Sequence, residues 1–337
     1  MSKRTMPEIV TEGVREHRAV QAWLQVQSDS WEPSSLELLQ RRRYSTVYRL
    51  NHAKQDSAKV IAKRCLTATA HIERMIYEEL LPLTRMPVLR CYGLLEEPEA
   101  EFCWFFLEDA AGARYSQQLS QDRALAGYWL AETQLATVST DLKSCLPNRE
   151  LDHYLHLLRG CRAMLLHHLS GGGLSVEDAM VLRKVATHID VLESQWSEME
   201  EICSLIPPGL VHGDFVIKNL RIRDTATGPA LLVFDWEFAG WGVPAADLAQ
   251  FIDRAASPEL SIYCSILKRE RPHLDSRDIQ AVAACGNLLR LVDQISWATV
   301  GQESVSPSQL VKAITLLRCY VPTMVAALNA FRWSQHD

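Results

Sequence analysis

The chain has 337 residues, of which 47% are hydrophobic and 23% are charged, and its formal net charge at pH 7 is -6. This length exceeds what one hydrophobic core usually organises, so we expect two domains or lobes. The composition is that of an ordinary globular protein, and the negative charge gives no general attraction to nucleic acid or to anionic lipid.

Cysteine usage and the N-terminal sequence predict the compartment. The nine cysteines are odd in number, widely spread and never spaced as Cys-x-x-Cys, which indicates reduced core thiols and neither a disulfide frame nor a zinc site. The N-terminus has no apolar stretch of signal length, and no window reaches the roughly 18 apolar residues of a membrane span. We therefore expect a cytoplasmic protein, a monomer or homodimer, without a membrane or nucleic-acid partner.

The first third of the chain predicts a small sheet. Residues 8–27 carry apolar residues at helical spacing, which predicts an amphipathic helix within an N-terminal extension of residues 1–35. In residues 36–108, YSTVYRL and AKVIAKRCL predict a β-hairpin, IERMIYEELLPL predicts a helix that ends at Pro82, and VLRCYGLLEE and EFCWFFLED predict two further strands. This segment is expected to form an antiparallel sheet with one inserted helix.

The remainder, residues 109–337, is predicted to be mainly helical, so the fold class is α+β. Helical periodicity covers residues 122–142, 150–169, 175–203, 278–299 and 307–331. The only clear β segments lie in VHGDFVIKNLRI, residues 211–222, and LLVFDWEFAGW, residues 231–241.

These two stretches place polar side chains among residues that could otherwise be buried. Asp214 and Asn219 share one loop, and a hairpin turn through TATGP would bring Asp235 beside Asn219. Carboxylate and amide oxygens suit Mg²⁺ that also binds phosphate oxygens, and they are poor ligands for zinc. One of the two carboxylates could remain off the metal and accept a proton. Taken singly, Asp214 is better explained as a turn cap and Asp235 as a strand end.

The ordered series is more specific than its parts. His-Gly-Asp-x-x-x-x-Asn, then apolar-Asp-Trp-Glu, then Gly-x-Pro-x-x-Asp-Leu-Ala at residues 242–249 resembles the aminoglycoside phosphotransferase and choline kinase family, relatives of the protein kinases. The resemblance implies a two-lobed kinase-like fold, with a nucleotide between a sheet-rich lobe and a helical lobe. It also implies that Asp214 is the catalytic base, that His212 orders the loop, and that Asn219 and Asp235 hold Mg²⁺ on the phosphates of ATP or GTP.

The family pattern requires a phosphate-binding lysine on a strand and a carboxylate on the next helix. VIAK supplies Lys63 on a predicted strand, and Glu73 lies on the predicted helix. Glu73 precedes Tyr77 by four residues, as in the family's Glu-x-x-x-Tyr register, while Glu78 is an alternative partner. A lone strand lysine is usually a solvated edge residue. Only this order and spacing therefore support a phosphate-binding role for Lys63.

The resemblance extends to the adenine edge and the phosphate loop. FFLEDAAG resembles the family's hinge, which implies that backbone groups near Glu108 and Asp109 meet the adenine. The loop RRRYSTVYRL has no glycine, whereas many relatives use one to let backbone N–H groups approach the phosphates. Ser45 and Thr46 could donate their hydroxyls instead.

The nature of the phosphate acceptor depends on the C-terminal helices. Acidic and basic residues are balanced over residues 250–337, so the acceptor is expected to be less cationic than a typical aminoglycoside. Trp241, Asp293 and Trp297 are candidates for lining its pocket, although both tryptophans are also compatible with core packing.

Three functions remain open on the sequence. The first is an ATP- or GTP-dependent O-phosphotransferase that acts on a small-molecule hydroxyl, such as that of an antibiotic or antibiotic-like sugar. The second is a metabolite kinase for choline, homoserine or a sugar, which would use the same residues. The third is a catalytically inert, kinase-like binding protein, against which the presence of Asp214, Asn219 and Asp235 argues.

Overall fold

The computed structural model describes residues 8–27, 31–53, 59–171, 173–299 and 307–333. The chain divides into two compact units. The first comprises Met1–Arg114 and Asn219–Glu237, and the second comprises Tyr115–Lys218 and Phe238–Asp337. The sequence did not predict that Asn219–Glu237 groups with the N-terminal segment.

In chain order, the strands and helices are β1 (Glu8–Val10), α1 (Arg18–Val26), β2 (Ser35–Arg41), β3 (Thr46–Asn51), β4 (Val60–Leu66), α2 (Thr67–Met75), β5 (Cys91–Glu96), β6 (Phe102–Glu108), β7 (Ala113–Arg114), α3 (Ser120–Thr137), β8 (Asn148–Arg149), α4 (Leu151–Ser170), α5 (Val176–Ser194), α6 (Trp196–Cys203), β9 (Gly209–Val211), β10 (Leu220–Thr225), β11 (Gly228–Val233), β12 (Gly240–Gly242), α7 (Leu260–Leu267), α8 (Ser276–Thr299) and α9 (Pro307–Trp333).

The first unit is built on an antiparallel six-stranded sheet in the order β1-β2-β3-β4-β6-β5. Helix α1 packs on this sheet through Trp23, whose ring contacts those of Tyr92 and Phe106. Three further strands form a second sheet in the order β11-β10-β7. The predicted hairpins β3–β4 and β10–β11 and the predicted strands β5 and β6 are therefore confirmed.

Two predictions in the first unit need correction. Residues 8–27 are not one helix, because Glu8–Val10 pairs with β2 and Gly13 has φ +60°, so the helix begins only at Arg18. The helix predicted to end at Pro82 is α-helical only to Met75. It continues as one π-helical turn and one 3₁₀ turn.

The second unit is mainly helical, as predicted, with a short sheet in the order β8-β12-β9. The segment expected to be one helix over 175–203 is two helices, α5 and α6, because Gln195 has non-helical angles that no Gly or Pro signals. Helix α7 was not predicted, since a run of eight almost wholly apolar residues shows no helical period.

Helix α9 differs from the expectation that no segment of the chain is long and apolar enough to span a membrane. Among the described residues, Ser308–Phe331 is long and apolar enough to cross a membrane, with mean hydropathy 1.4, and 28% of that window is buried. One such helix is weak evidence of a membrane span, because a core helix passes the same test. In this chain, Ile314, Leu317 and Leu328 are buried on a face that packs against α5 and α8.

The cysteines only partly follow the expectation of core thiols. All nine are free, and six are buried, but Cys145 and Cys319 are exposed and Cys91 is half-buried.

Gly286 sets how closely α8 approaches the 3₁₀ turn Pro244–Leu248. A Cβ at Gly286 would lie 2.0 Å from the carbonyl oxygen of Ala245, whereas a Cβ at the exposed Gly160 of α4 would meet nothing within 4 Å. We expect Gly286→Ala to lower the free energy of unfolding by at least about 1–3 kcal/mol through overpacking. The control Gly160→Ala should raise it by about 0.5–1 kcal/mol. Urea denaturation of both variants tests this, and equal effects would contradict the close packing at Gly286.

Candidate active site

In the first unit, a buried lysine is paired with two carboxylates. Strand β4 carries Lys63 at the register of Val47 and Phe105, and its Nζ donates to Glu73 Oε1 at 2.5 Å and to Asp235 Oδ1 at 2.8 Å. The Lys63 and Glu73 side chains are almost completely buried. The structure thus joins the predicted strand lysine to Glu73 of α2.

The alternative partner, Glu78, pairs instead with Arg74 at the surface. Burial disfavours the Lys63 ammonium, but the attraction of Glu73 and then of Asp235 outweighs it and raises the pKa of Lys63 well above its ordinary value. Lys63 is therefore charged across the physiological range and can face nucleotide phosphates as a cation.

Asn219 and Asp235 lie at the same end of the β10–β11 hairpin. Leu220 is in register with Val233, and the Phe234 N–H donates to the Asn219 carbonyl at 3.1 Å. Asp235 has φ +68°, a left-handed conformation that a non-glycine residue adopts at a cost and that Asp and Asn tolerate best. The predicted hairpin therefore does bring the two candidate metal ligands to one place.

These residues fit a Mg²⁺ ion that also binds phosphate. They supply one carboxylate, which is 27% exposed, and one amide oxygen from a buried side chain. In the part of the chain that the structure describes, no group of three or more His, Cys, Asp or Glu side chains is arranged to hold a metal. Mg²⁺ commonly uses one or two carboxylates together with substrate phosphates and water, so a complete protein cage is not required.

In the second unit, Asp247 orders the loop that contains the candidate base. Its carboxylate accepts the N–H of His212 at 2.6 Å and the N–H of Gly213 at 3.0 Å. The Asp214 N–H donates to His212 Nδ1 at 3.2 Å, so His212 contacts the loop that it is predicted to order. Gly213 has φ +74°, and a Cβ there would lie 2.3 Å from the Phe238 carbonyl oxygen, so only glycine fits.

The Asp214 carboxylate is held by two cations. Arg290 of α8 donates from Nη2 to Oδ1 at 2.7 Å and from Nη1 to the Gly213 carbonyl at 3.2 Å, and Lys218 Nζ lies 2.9 Å from Oδ2. Burial alone would raise the pKa of Asp214, but Arg290 and then Lys218 outweigh it and lower the pKa below its ordinary value. Asp214 is therefore ionised near neutral pH, as a proton acceptor must be.

A second buried ion pair joins Asp293 of α8 to Arg149 of β8. Arg149 Nη1 contacts Asp293 Oδ1 at 3.1 Å, and Arg149 Nε donates to the Phe238 carbonyl at 2.9 Å. Burial raises the pKa of Asp293 to about 6, and it raises that of Asp247 to about 7. Asp293, a predicted acceptor-pocket residue, is 1% exposed.

The predicted adenine-edge and loop residues all lie in the first unit. The side chains of Glu108 and Asp109 form ion pairs with Arg223 and Arg49. Their backbone N–H groups donate to the carbonyls of Arg90 and Lys59, both at 2.9 Å, so an adenine contact by this backbone stays a prediction.

In the glycine-free loop, the Arg42 N–H donates to the Ser45 carbonyl at 2.7 Å, and Thr46 begins β3. Ser45 is buried, and its Oγ has no hydrogen-bond partner among the described residues. A phosphate contact by Ser45 or Thr46 stays a prediction.

The two candidate acceptor tryptophans have different surroundings. Trp241 is largely buried on β12 and lines a cavity of about 530 Å³ with Leu146, Pro207 and Pro208. Trp297 is 40% exposed on α8, and its ring lies 4.8 Å from that of Phe238. Trp297 is thus the more open aromatic surface.

Sequence reasoning missed the residues that contact Asp214, its loop and Asp293. Asp247 lies inside the motif at residues 242–249, but the sequence analysis assigned it no role. Lys218 lies four residues after Asp214, a spacing at which two side chains can form an ion pair. Arg149 and Arg290 are distant in sequence from the loop and give no local signal. Only the folded chain brings them to Asp214 and Asp293.

Comparisons with known proteins show the family and the fold of this chain. The model of the phosphotransferase enzyme family matches residues 36–264. Similar solved structures include the GDP complex of wild-type aminoglycoside 2'-phosphotransferase-IIIa, with a TM-score of 0.62 at 12% identity, over 90% of this chain and 96% of that chain. Spectinomycin phosphotransferase APH(9)-Ia with ADP and spectinomycin has a TM-score of 0.59 at 10% identity, over 91% of this chain and 97% of that chain.

An ethanolamine kinase from Plasmodium vivax is also similar, with a TM-score of 0.55 at 14% identity, over 91% of this chain and 85% of that chain. No curated protein sequence matches the chain. The family match covers more than half of the chain, so the protein belongs to the phosphotransferase enzyme family. The predicted α+β kinase-like fold and the predicted enzyme class, a small-molecule kinase, are confirmed.

The buried Asp247 gives a testable stability effect. Asp247→Ala leaves two buried N–H groups without an acceptor, each costing about 1–3 kcal/mol, so the free energy of unfolding should fall by more than ~2 kcal/mol. Asp275→Ala is a matched control, because Asp275 also accepts two backbone N–H groups, those of Arg277 and Asp278, but is fully exposed. Its N–H groups can bond water, so urea denaturation should show a smaller loss. A similar loss in both variants would contradict the loop-ordering role of Asp247.

Proposed function

We propose that the protein transfers the γ-phosphate of ATP or GTP, with Mg²⁺, to a hydroxyl group of a small molecule. The observation that carries this proposal is the Asp214 carboxylate, which is buried, ionised and held by Arg290 and Lys218 on a loop ordered by Asp247. A fixed, ionised carboxylate in the family's catalytic motif is suited to accept a proton.

In the proposed step, the acceptor oxygen forms a bond to the γ-phosphorus while the bond from that phosphorus to the bridging oxygen breaks. The proton of the acceptor hydroxyl passes to Asp214, and the nucleoside diphosphate leaves. Lys63 binds and orients the phosphates by its charge, and Glu73 holds the Lys63 ammonium in position. Asn219 and Asp235 would hold Mg²⁺, which supplies charge neutralisation on the phosphates.

The acceptor class has two candidates. The similar structures of an aminoglycoside phosphotransferase and of spectinomycin phosphotransferase support an antibiotic or antibiotic-like sugar. The similar ethanolamine kinase supports a metabolite kinase as the second candidate. Those structures hold GDP in one case and ADP in another, so ATP and GTP are both retained as donors. Growth of a sensitive host on an antibiotic panel, with and without the protein, separates the two acceptor classes.

The role of Asp214 is tested by Asp214→Asn. We expect kcat to fall by roughly 10²- to 10⁴-fold while nucleotide affinity stays nearly unchanged, because a positioned base acts mainly in proton transfer. The control Asp224→Asn makes the same charge change at an exposed position of β10. Nucleoside diphosphate release in the presence of acceptor measures kcat, and calorimetry measures nucleotide affinity. Wild-type turnover by Asp214→Asn would remove Asp214 from its proposed role.

The metal site is tested by three substitutions in the first unit. Asp235→Ala should abolish Mg²⁺-dependent nucleotide binding, and Asn219→Ala should weaken it less because Asn219 is a neutral ligand. Lys63→Ala should raise the nucleotide KM and lower kcat, with a smaller effect on Mg²⁺ affinity.

Asp235→Asn is the matched control for backbone strain, since Asn also tolerates a left-handed conformation while the ligand charge is lost. Mg²⁺ titrations of nucleotide binding by each folded variant provide the measurement. A wild-type Mg²⁺ response of Asp235→Ala would exclude Asp235 as a ligand.

A further inference from the structure

Both oxygens of the candidate base face cations of the second unit. Arg290 lies 2.7 Å from Asp214 Oδ1, and Lys218 lies 2.9 Å from Oδ2. The Arg290 side chain is almost fully buried, whereas that of Lys218 is 41% exposed. A hydroxyl that approaches Asp214 therefore also approaches a solvent-accessible ammonium and a fixed guanidinium.

The carboxylates nearest to these cations are already engaged. Asp247 accepts two backbone N–H groups, and Asp293 is paired with Arg149. Burial raises the pKa of Asp247 to about 7, so Asp247 is only partly ionised near neutral pH, and the negative charge of Asp293 is already paired with Arg149. The exposed Asp253 accepts a hydrogen bond from Gln294 Nε2 at 3.0 Å. Of these three carboxylates only Asp253 is exposed, so they provide no surplus of open negative charge over Arg290 and Lys218 that would attract an ammonium-bearing acceptor.

The exposed aromatic surface beside the base is also unsuited to an ammonium group. The guanidinium carbon of Arg290 lies 4.9 Å from the centre of the Trp297 ring, within cation–π range. The protein's own cation therefore occupies the electrostatic position that a ligand cation would take. The remaining exposed part of Trp297, next to Phe238, can still stack against a sugar ring or a flat apolar group.

Three buried atoms on the same face of α8 have no hydrogen-bond partner in the described part of the chain. They are Arg290 Nε, Asp293 Oδ2 and Gln294 Oε1, one donor and two acceptors, on residues at helical spacings of three and four. Leaving buried polar atoms unpaired is costly, so hydroxyl groups or water are expected to pair with them. These atoms are buried, so the part of this polar cluster that faces an acceptor is the neighbouring exposed surface of Lys218 and Trp297, which suits hydroxyl groups and a sugar ring.

We propose that the acceptor is an uncharged or anionic polyhydroxyl compound, and that Arg290 and Lys218 make the protein discriminate against acceptors with an ammonium group near the reactive hydroxyl. This inference rests on the proposed phosphotransfer, and it narrows both acceptor classes named there. It favours neutral sugars, acetylated amino sugars and sugar acids over polycationic aminoglycosides and over amino alcohols.

Matched acceptor pairs test the charge preference. The pairs are a polyamino sugar and its fully N-acetylated form, and a hexosamine with the corresponding hexose and hexuronic acid. Nucleoside diphosphate release and the mass of the product give kcat/KM for each compound. The wild-type protein should favour the uncharged or anionic member by about tenfold or more, as expected for a cation held near two like charges.

N-acetylation removes a charge and also adds bulk, and Lys218→Glu distinguishes these two effects. Each compound is assayed with the wild-type protein and with the variant, so its size is the same in both measurements. We expect this variant to lower the preference for the uncharged member by about tenfold, since one of the two repelling charges is reversed. Lys184→Glu on α5 makes the same change at an exposed position and should leave the preference unchanged. A preference equal in both variants would overturn the assignment to Lys218 and Arg290.

A measurement without turnover keeps the inference testable. Trp297 fluorescence, isolated by subtraction of Trp297→Phe, is quenched with iodide or caesium at constant ionic strength. The ratio of the iodide quenching constant to the caesium quenching constant should exceed that of free N-acetyl-tryptophanamide. The same ratio should be lower in Lys218→Glu than in the wild-type protein. A ratio at or below the free value would overturn the proposal, as would faster turnover of the amine than of its acetylated form. If no acceptor is phosphorylated and no nucleotide binds, the phosphotransferase function is contradicted instead. The quenching ratio would still test the charge preference in that case.

Discussion

The structure depends on giving its buried carboxylates cations or backbone N–H groups as partners. Removing a carboxylate from water favours its neutral form, so each chemically useful acid must have a cation or backbone N–H groups beside it. Glu73 and Asp235 share Lys63 in the first unit, and Asp214 has Arg290 and Lys218 in the second. Breaking such a pair would leave one charge buried and uncompensated, which is more costly than never forming the pair. The pairings therefore constrain where β4, α2 and α8 can lie within their units.

The same pairings determine the chemistry available to each unit. In the first unit, Lys63 stays protonated between two acids, and the left-handed Asp235 is positioned where the β10–β11 hairpin ends. In the second, cations lower the pKa of Asp214, so it is a carboxylate at neutral pH, as the proposed role of proton acceptor requires. The cations that hold Asp214 also set the charge of its surroundings, so in the proposed function the same contacts would hold the loop and influence the choice of acceptor.

The differences between predicted and observed elements have local physical causes. Strands with a clear alternation and hairpin turns were placed correctly, because a two-residue period and turn residues are properties of neighbouring positions. Helix α7 was missed because almost all of its eight residues are apolar, and the break at Gln195 was missed because neither Gly nor Pro marks it. Residues 8–27 were assigned to a helix since pairing of Glu8–Val10 with β2 depends on a strand more than 20 residues away.

The sequence by itself determined the fold class, the ordered series His212, Asp214, Asn219 and Asp235, and the candidate pair Lys63 and Glu73. Each of these is encoded by residue type and spacing over short segments. Only the tertiary structure selected Glu73 over Glu78, revealed that Asp247 holds the His212–Gly213 backbone, and placed Arg290 against Asp214 across 76 positions of sequence. These contacts have no local signal, because burial and the cations that offset it depend on which distant segments the folded chain brings together.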